Sequence, residues 1–137
     1  MNFKLFKTLI VIGVVSLMAS STVFAASEWE GNDQPNSWNV AYVNDTSVGY
    51  ISSSNDVDYW RLTANRTGSF KFSTTTNGLP YLVQVFPAGS STSIYSGSMQ
   101  FGAIFYLNLT SGQQYDIKVY SADGTSSTTK SYAITIE

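Results

Sequence analysis

Residues 101 to 120 read FGAIFYLNLTSGQQYDIKVY, and their rhythm decides the fold. Phe101, Ala103, Phe105, Leu107 and Leu109 recur at every second position. After Ser111-Gly112 the alternation resumes: Tyr115, Ile117 and Val119 oppose Asp116, Lys118 and Tyr120. Successive side chains of a strand point to opposite faces, so a period of two marks a half-buried strand. The stretch therefore predicts two strands joined by a Ser-Gly hairpin turn.

The same rhythm extends in both directions. Trp60 and Leu62 alternate with Arg61 and Thr63, and Phe70 and Phe72 with Lys71 and Ser73. Tyr132, Ile134 and Ile136 form a last strand. Tyr81 to Phe86 is apolar nearly throughout, which predicts a strand covered on both faces. Turn signals separate the runs at Asn65-Arg66-Thr67-Gly68, Asn77-Gly78, Pro87-Ala88-Gly89 and Ala122-Asp123-Gly124. Gln34 to Ala41 has room for a short turn of helix, and Ser121 to Ser131 reads as a polar hairpin loop. Short strands punctuated this regularly predict an all-β protein, an antiparallel sandwich or barrel, and about seven or eight strands fit a two-sheet β-sandwich.

The first 25 residues have a different character. Lys4 and Lys7 precede an apolar run from Leu9 to Met18, then small residues ending in Val23-Phe24-Ala25. That order predicts a secretory signal peptide, residues 1–25, cleaved after Ala25. The apolar run is short for a membrane span, so an uncleaved anchor is the lesser reading. Residues 26–137 then form one domain, large enough to bury about two thirds of its unfolded surface. This predicts a secreted, extracellular protein with no membrane attachment after cleavage.

Composition narrows the chemistry. The chain has no cysteine and no histidine. Thiol nucleophiles, disulfides and cysteine zinc sites are excluded, as is the commonest general base. After cleavage Arg61, Arg66, Lys71, Lys118 and Lys130 stand against nine acids, a net charge of −4. A nucleic-acid partner wants a basic patch, and none is visible.

The acids are concentrated. Between Ala26 and Trp60 lie six acids and no basic residue. In the segment EWEGND, residues 28–33, an extended chain puts Glu28, Glu30 and Asn32 on one side and Trp29 on the other, toward the sandwich. Asp33 follows at the bend before Pro35. In NDVDYW, residues 55–60, Asp56 and Asp58 share a side at the start of a strand. Carboxylates this close repel unless a cation sits among them, and an all-oxygen donor set suits Ca²⁺. The candidate metal site is Glu28, Glu30, Asn32, Asp33, Asp56 and Asp58. Asn-Asp pairs are also ordinary turn residues, and acids near a terminus are often only solvated, so spacing alone leaves both readings open.

EWEGND, VGYI, DVDYWRL, LTSGQQYDIKVY and SYAITI, in this order and spacing, resemble the bacterial pre-peptidase C-terminal domain, a family related to the collagen-binding domains of clostridial collagenases. The combination carries the resemblance: a Glu-x-Glu-x-Asn-Asp opening, an Asp-x-Asp-Tyr strand start, and a Leu-x-x-Gly-x-x-Tyr hairpin at Leu109, Gly112 and Tyr115. It implies a compact, non-catalytic, jelly-roll-like antiparallel β-sandwich, some relatives of which bind substrate and some calcium. The calcium role would fall on the six residues named above. In the family the opening segment joins an upstream catalytic domain. Here Ala26 and Ser27 alone precede it after cleavage, so calcium would pin the N-terminus.

Three functions follow as expectations. The first is a secreted, non-catalytic binding module that is calcium-stabilised and adheres to an extracellular protein (collagen-like) or a polysaccharide. Tyr95 and Tyr120 are its candidate outward-facing ligand-binding residues, since tyrosine offers a rigid apolar body with a polar tip. Asp116 and Lys118 flank Tyr120 and disfavour a flat apolar collagen site. The second is a structural or self-assembling cell-surface or matrix subunit, with the Phe101–Leu109 strand pairing between chains if it lies at an edge. The third is an enzyme using Asp56 and Asp58 as paired carboxylates. It is the weakest, because the metal role claims the same acids. The expectation is no catalytic activity.

Overall fold

A computed structural model describes residues 25–137. The predicted signal peptide lies outside them but for Ala25. Ten strands form two five-stranded sheets, and no helix occurs among the described residues. The strands are β1 (Ala26–Ser27), β2 (Asn39–Ala41), β3 (Asp45–Gly49), β4 (Val57–Thr63), β5 (Gly68–Thr75), β6 (Tyr81–Pro87), β7 (Tyr95–Ser98), β8 (Ala103–Leu109), β9 (Gln114–Ser121) and β10 (Tyr132–Ile136). One sheet runs β1-β3-β10-β5-β8 and the other β2-β4-β9-β6-β7. The β-sandwich expected from the sequence is correct. The count exceeds the expected seven or eight because β1 and β2 are only two and three residues long. Both also pair parallel with their neighbours, so each sheet is mixed.

The alternating apolar residues meet between the sheets. Trp60, Leu62, Phe70, Phe72, Ile117, Val119, Ile134 and Ile136 are all buried. Phe105 stacks on Phe72, with centroids 4.9 Å apart. Burying such aromatic rings supplies the main driving force for a sandwich without disulfides.

Several local expectations fail for identifiable reasons. β8 and β9 are not a hairpin, since they belong to opposite sheets. Ser111-Gly112 turns a crossover, tied by the Thr110 amide donating to the Tyr115 hydroxyl at 3.0 Å. Residues 122–131 likewise carry the chain from β9 to β10, across the sandwich. In β6, Tyr81, Val83 and Val85 are buried, while Leu82, Gln84 and Phe86 are half-exposed on an uncovered outer face. Gln34 to Ala41 holds a Gln34–Ser37 bridge and β2 instead of a helical turn. Phe101 does not continue the strand face of Ala103, Phe105, Leu107 and Leu109 as the alternation predicted. It sits in the turn before β8 with φ of 66° and is 87% exposed.

Candidate functional site

The six candidate acids and amides gather at one corner of the sandwich. β1 lies along β3, and the Glu28 amide continues the pairing by donating to the Val48 carbonyl at 3.1 Å. The chain then leaves the sheet. The Asn32 carbonyl accepts from the Tyr59 amide at 3.2 Å, which pins the segment against β4. Trp29 consequently does not pack on the sandwich. It is 70% exposed, its amide held by the Asn39 side chain at 3.1 Å. The strand alternation that would have turned it inward ends before it.

The inner group is Glu28, Asn32 and Asp58. Asp58 is fully buried, as is Asn32. The Tyr132 hydroxyl donates to Asp58 Oδ2 at 2.6 Å and accepts from Trp60 Nε1 at 2.7 Å. This relay fixes one oxygen of Asp58 from the opposite sheet. Glu28 Oε1 accepts the Tyr50 amide at 2.5 Å. Gly49 makes the space: a Cβ there would collide with Glu28 Oε2 and the Tyr132 hydroxyl.

The outer group is Glu30, Asp33 and Asp56. Asp56 is buried and accepts from both the amide and the hydroxyl of Ser52, the latter at 2.8 Å. Glu30 and Asp33 are exposed at the rim. The sequence-stated residues thus come together in space, although no three of their carboxyl groups, among the described residues, converge as a ready-made metal cage.

Electrostatics follow from burying like charges. Burial first, then the adjoining Asp58, pushes Glu28 up to about 9. Burial raises Asp58 to about 6, although the adjoining Glu28 and the Tyr132 hydroxyl favour its charged form. Glu30 is raised by desolvation and then by Asp56 and Asp33. Desolvation and the neighbouring Asp56 raise Asp33. Both carboxyls of the inner pair thus hold a proton more readily than free ones, because burial penalises their charged forms.

Buried oxygens without a hydrogen-bond partner test whether a cation fits. Glu28 Oε2, Asp58 Oδ1 and both polar atoms of the Asn32 side chain have none. Such orphans are rare in a folded protein and point to something else in the site. All three unpartnered oxygens are hard donors of the kind calcium takes. The residues fit the ion.

Tyr95 and Tyr120 separate. Tyr120 faces outward on β9, with Lys118 Nζ 4.7 Å from its ring centroid. Tyr95 does not face outward: its ring stacks on Phe105, with centroids 3.6 Å apart, and packs against the core. It pairs with Val85, whose side chain is buried, so the register of β7 on β6 turns the ring between the layers.

The outer face around Tyr120 holds a group that the sequence reading missed. Arg61 and Asp116 are paired across β4 and β9. Arg61 Nε and Nη2 reach the two Asp116 oxygens at 2.7 and 3.1 Å. The Trp38 ring covers the guanidinium, 4.4 Å from centroid to Cζ. An open depression of about 400 Å³ lies beside this fork, lined by Tyr59, Phe86, Ser90 and Lys118 among others. Nothing in local spacing signals it, because Arg61 and Asp116 are 55 residues apart.

No family model matches the chain. No curated protein matches it either. Among solved structures it is similar to the pre-peptidase C-terminal domain of collagenase from Bacillus anthracis. The TM-score is 0.60 at 15% identity, covering 77% of this chain and 100% of that domain. The Yersinia pseudotuberculosis-derived mitogen gives 0.49 at 11% identity, covering 65% of this chain and 80% of the mitogen. PliG of Aeromonas hydrophila, a periplasmic inhibitor of g-type lysozyme, gives 0.48 at 18%, covering 72% and 98%. The first of these likenesses establishes the fold as that of a pre-peptidase C-terminal-type β-sandwich.

Proposed function

We propose that the chain is a secreted, non-catalytic binding module of the pre-peptidase C-terminal kind, adhering to an extracellular polymer through the outer face of the β4-β9-β6 layer. The observation that carries this is the Arg61–Asp116 fork under Trp38. A fixed, bidentate ion pair set beside Tyr59 and Phe86, with Tyr120 further along the same face of β9, offers what a polysaccharide or a polar peptide needs. Aromatic faces beside a polar fork favour sugar rings. Asp56 and Asp58 are buried and committed to Ser52 and Tyr132, which supports a non-catalytic role.

The same reading includes a calcium ion held by Glu28, Glu30, Asn32, Asp33, Asp56 and Asp58. Its chemistry would be charge neutralisation, which fastens the N-terminal segment to β4. The unpartnered oxygens of Glu28, Asn32 and Asp58 support it.

A pull-down against insoluble collagen, cell wall and chitin tests the adhesion. Binding to one of them, weakened by about 1 kcal/mol or more in Arg61→Ala and in Tyr120→Ala with the fold intact, is the expected result. Absence of binding to all three removes the reading.

A further inference from the structure

β8 ends its sheet. Among the described residues it pairs with β5 on one side and with nothing on the other. At seven residues it is far longer than the opposite edge, β1, and longer than β2 and β7, which end the other sheet. Edge strands offer unpaired N–H and C=O groups, and proteins guard them by shortening them or adding charge, proline or a cover. β1 and β2 are guarded by brevity and by the acids around them. β8 has none of these protections. From residue 72 to residue 115 the chain carries no charged side chain, and that stretch holds β6, β7 and β8.

The strand also displays apolar surface. Ile104 and Tyr106 point away from the core and are each 65% exposed. Phe101, just before β8, holds a backbone region that bulky residues rarely adopt and turns its ring into water. No packing within the sandwich offsets that strain.

We propose that β8 is the interface between two copies of this chain, paired antiparallel about a two-fold axis at Phe105. A second copy is the occupant the strand itself fits. An uncharged edge meets its own image without repulsion, whereas a charged one would oppose like charges. Centring the axis on Phe105 sets Ile104 opposite the second copy's Tyr106, an aromatic and β-branched pair, and keeps the buried faces of both sheets in line. Phe101 then lies against the far end of the other β8. One long open edge per copy closes as a dimer and gives no filament, because the guarded edges have no partner. This inference is independent of polymer adhesion, which uses the outer face of the other sheet.

Residues 25–137 carry all ten described strands and serve for the test. Sedimentation velocity over a wide concentration series is expected to show a monomer–dimer equilibrium. Ile104→Lys/Tyr106→Lys, both at exposed positions, is expected to stay monomeric throughout with an unchanged circular dichroism spectrum. The chain has no cysteine of its own, so mixing Ile104→Cys chains with Tyr106→Cys chains under oxidation is expected to give a cross-linked pair. A wild-type chain that is monomeric at every concentration overturns the proposal. So does a dimer that survives the double lysine substitution, or a mixture that fails to cross-link.

Discussion

The two sides of this sandwich manage their edges in opposite ways. On the β1/β2 side the edge strands are two and three residues long, and six acids crowd the neighbouring segments. On the β7/β8 side the edge is long, apolar and free of charge. The first side is protected from other chains but strained by its own charge. The second is electrostatically at ease and exposed to partners. The difference teaches that charge in this fold is a local cost, since the whole stretch from residue 72 to residue 115 folds with none.

The largest effect is expected where the acidic side is tightest. Gly49→Ala drives a methyl group into Glu28 and Tyr132. Overpacking of this kind costs about 3 kcal/mol at the upper end of its usual range. Thermal denaturation is expected to show a large fall in melting temperature. Tyr132→Phe comes next: it strips Asp58 of its donor and Trp60 Nε1 of its acceptor. A loss of about 2 kcal/mol is expected in urea unfolding, because it leaves two buried groups unpaired. Asp58→Asn sharpens the contrast. In chelator it removes charge from a crowded acid pair and is expected to leave stability equal or higher. In calcium it is expected to abolish the stabilisation that wild type gains. Ile104→Lys on the opposite side should change monomer stability by no more than about 0.5 kcal/mol, because the site is exposed.

The core of the fold was legible in the sequence because burial in a sandwich follows a period of two. Trp60, Leu62, Ile117 and Val119 declare themselves by alternation. The partition of strands between sheets was not legible. Ser111-Gly112 can turn a hairpin or a crossover with the same residues, and only the packing of β8 against β5 decides. Tyr95 follows the period rule, but the phase of its short strand was not readable: only the pairing with buried Val85 shows that its ring faces inward onto Phe105. At the acidic corner the oxygen donors were readable from EWEGND and NDVDYW. Their supports were not: Tyr132 lies 74 residues from Asp58 in the chain, and Gly49 matters only for the side chain that it lacks. The Arg61–Asp116 fork was hidden for the same reason, being a cross-strand pair of distant segments.

The proposal for the acidic corner is that a proton or calcium holds it together against its own charge. In the folded chain Glu28 is raised to about 9 and Asp58 to about 6. The folded state thus holds protons that the unfolded chain releases. The favourable contribution is complete below the unfolded values and is lost as pH rises through the folded ones. Melting temperatures at pH 5 and pH 8, each in calcium and in chelator, measure this directly. The account predicts a lower melting temperature at pH 8 than at pH 5 in chelator, and recovery at pH 8 in calcium, by about 2.7 kcal/mol at a hundredfold excess over Kd. Magnesium should restore much less. Melting temperatures that do not fall with pH in chelator, together with identical curves in calcium and chelator at pH 8, would contradict it.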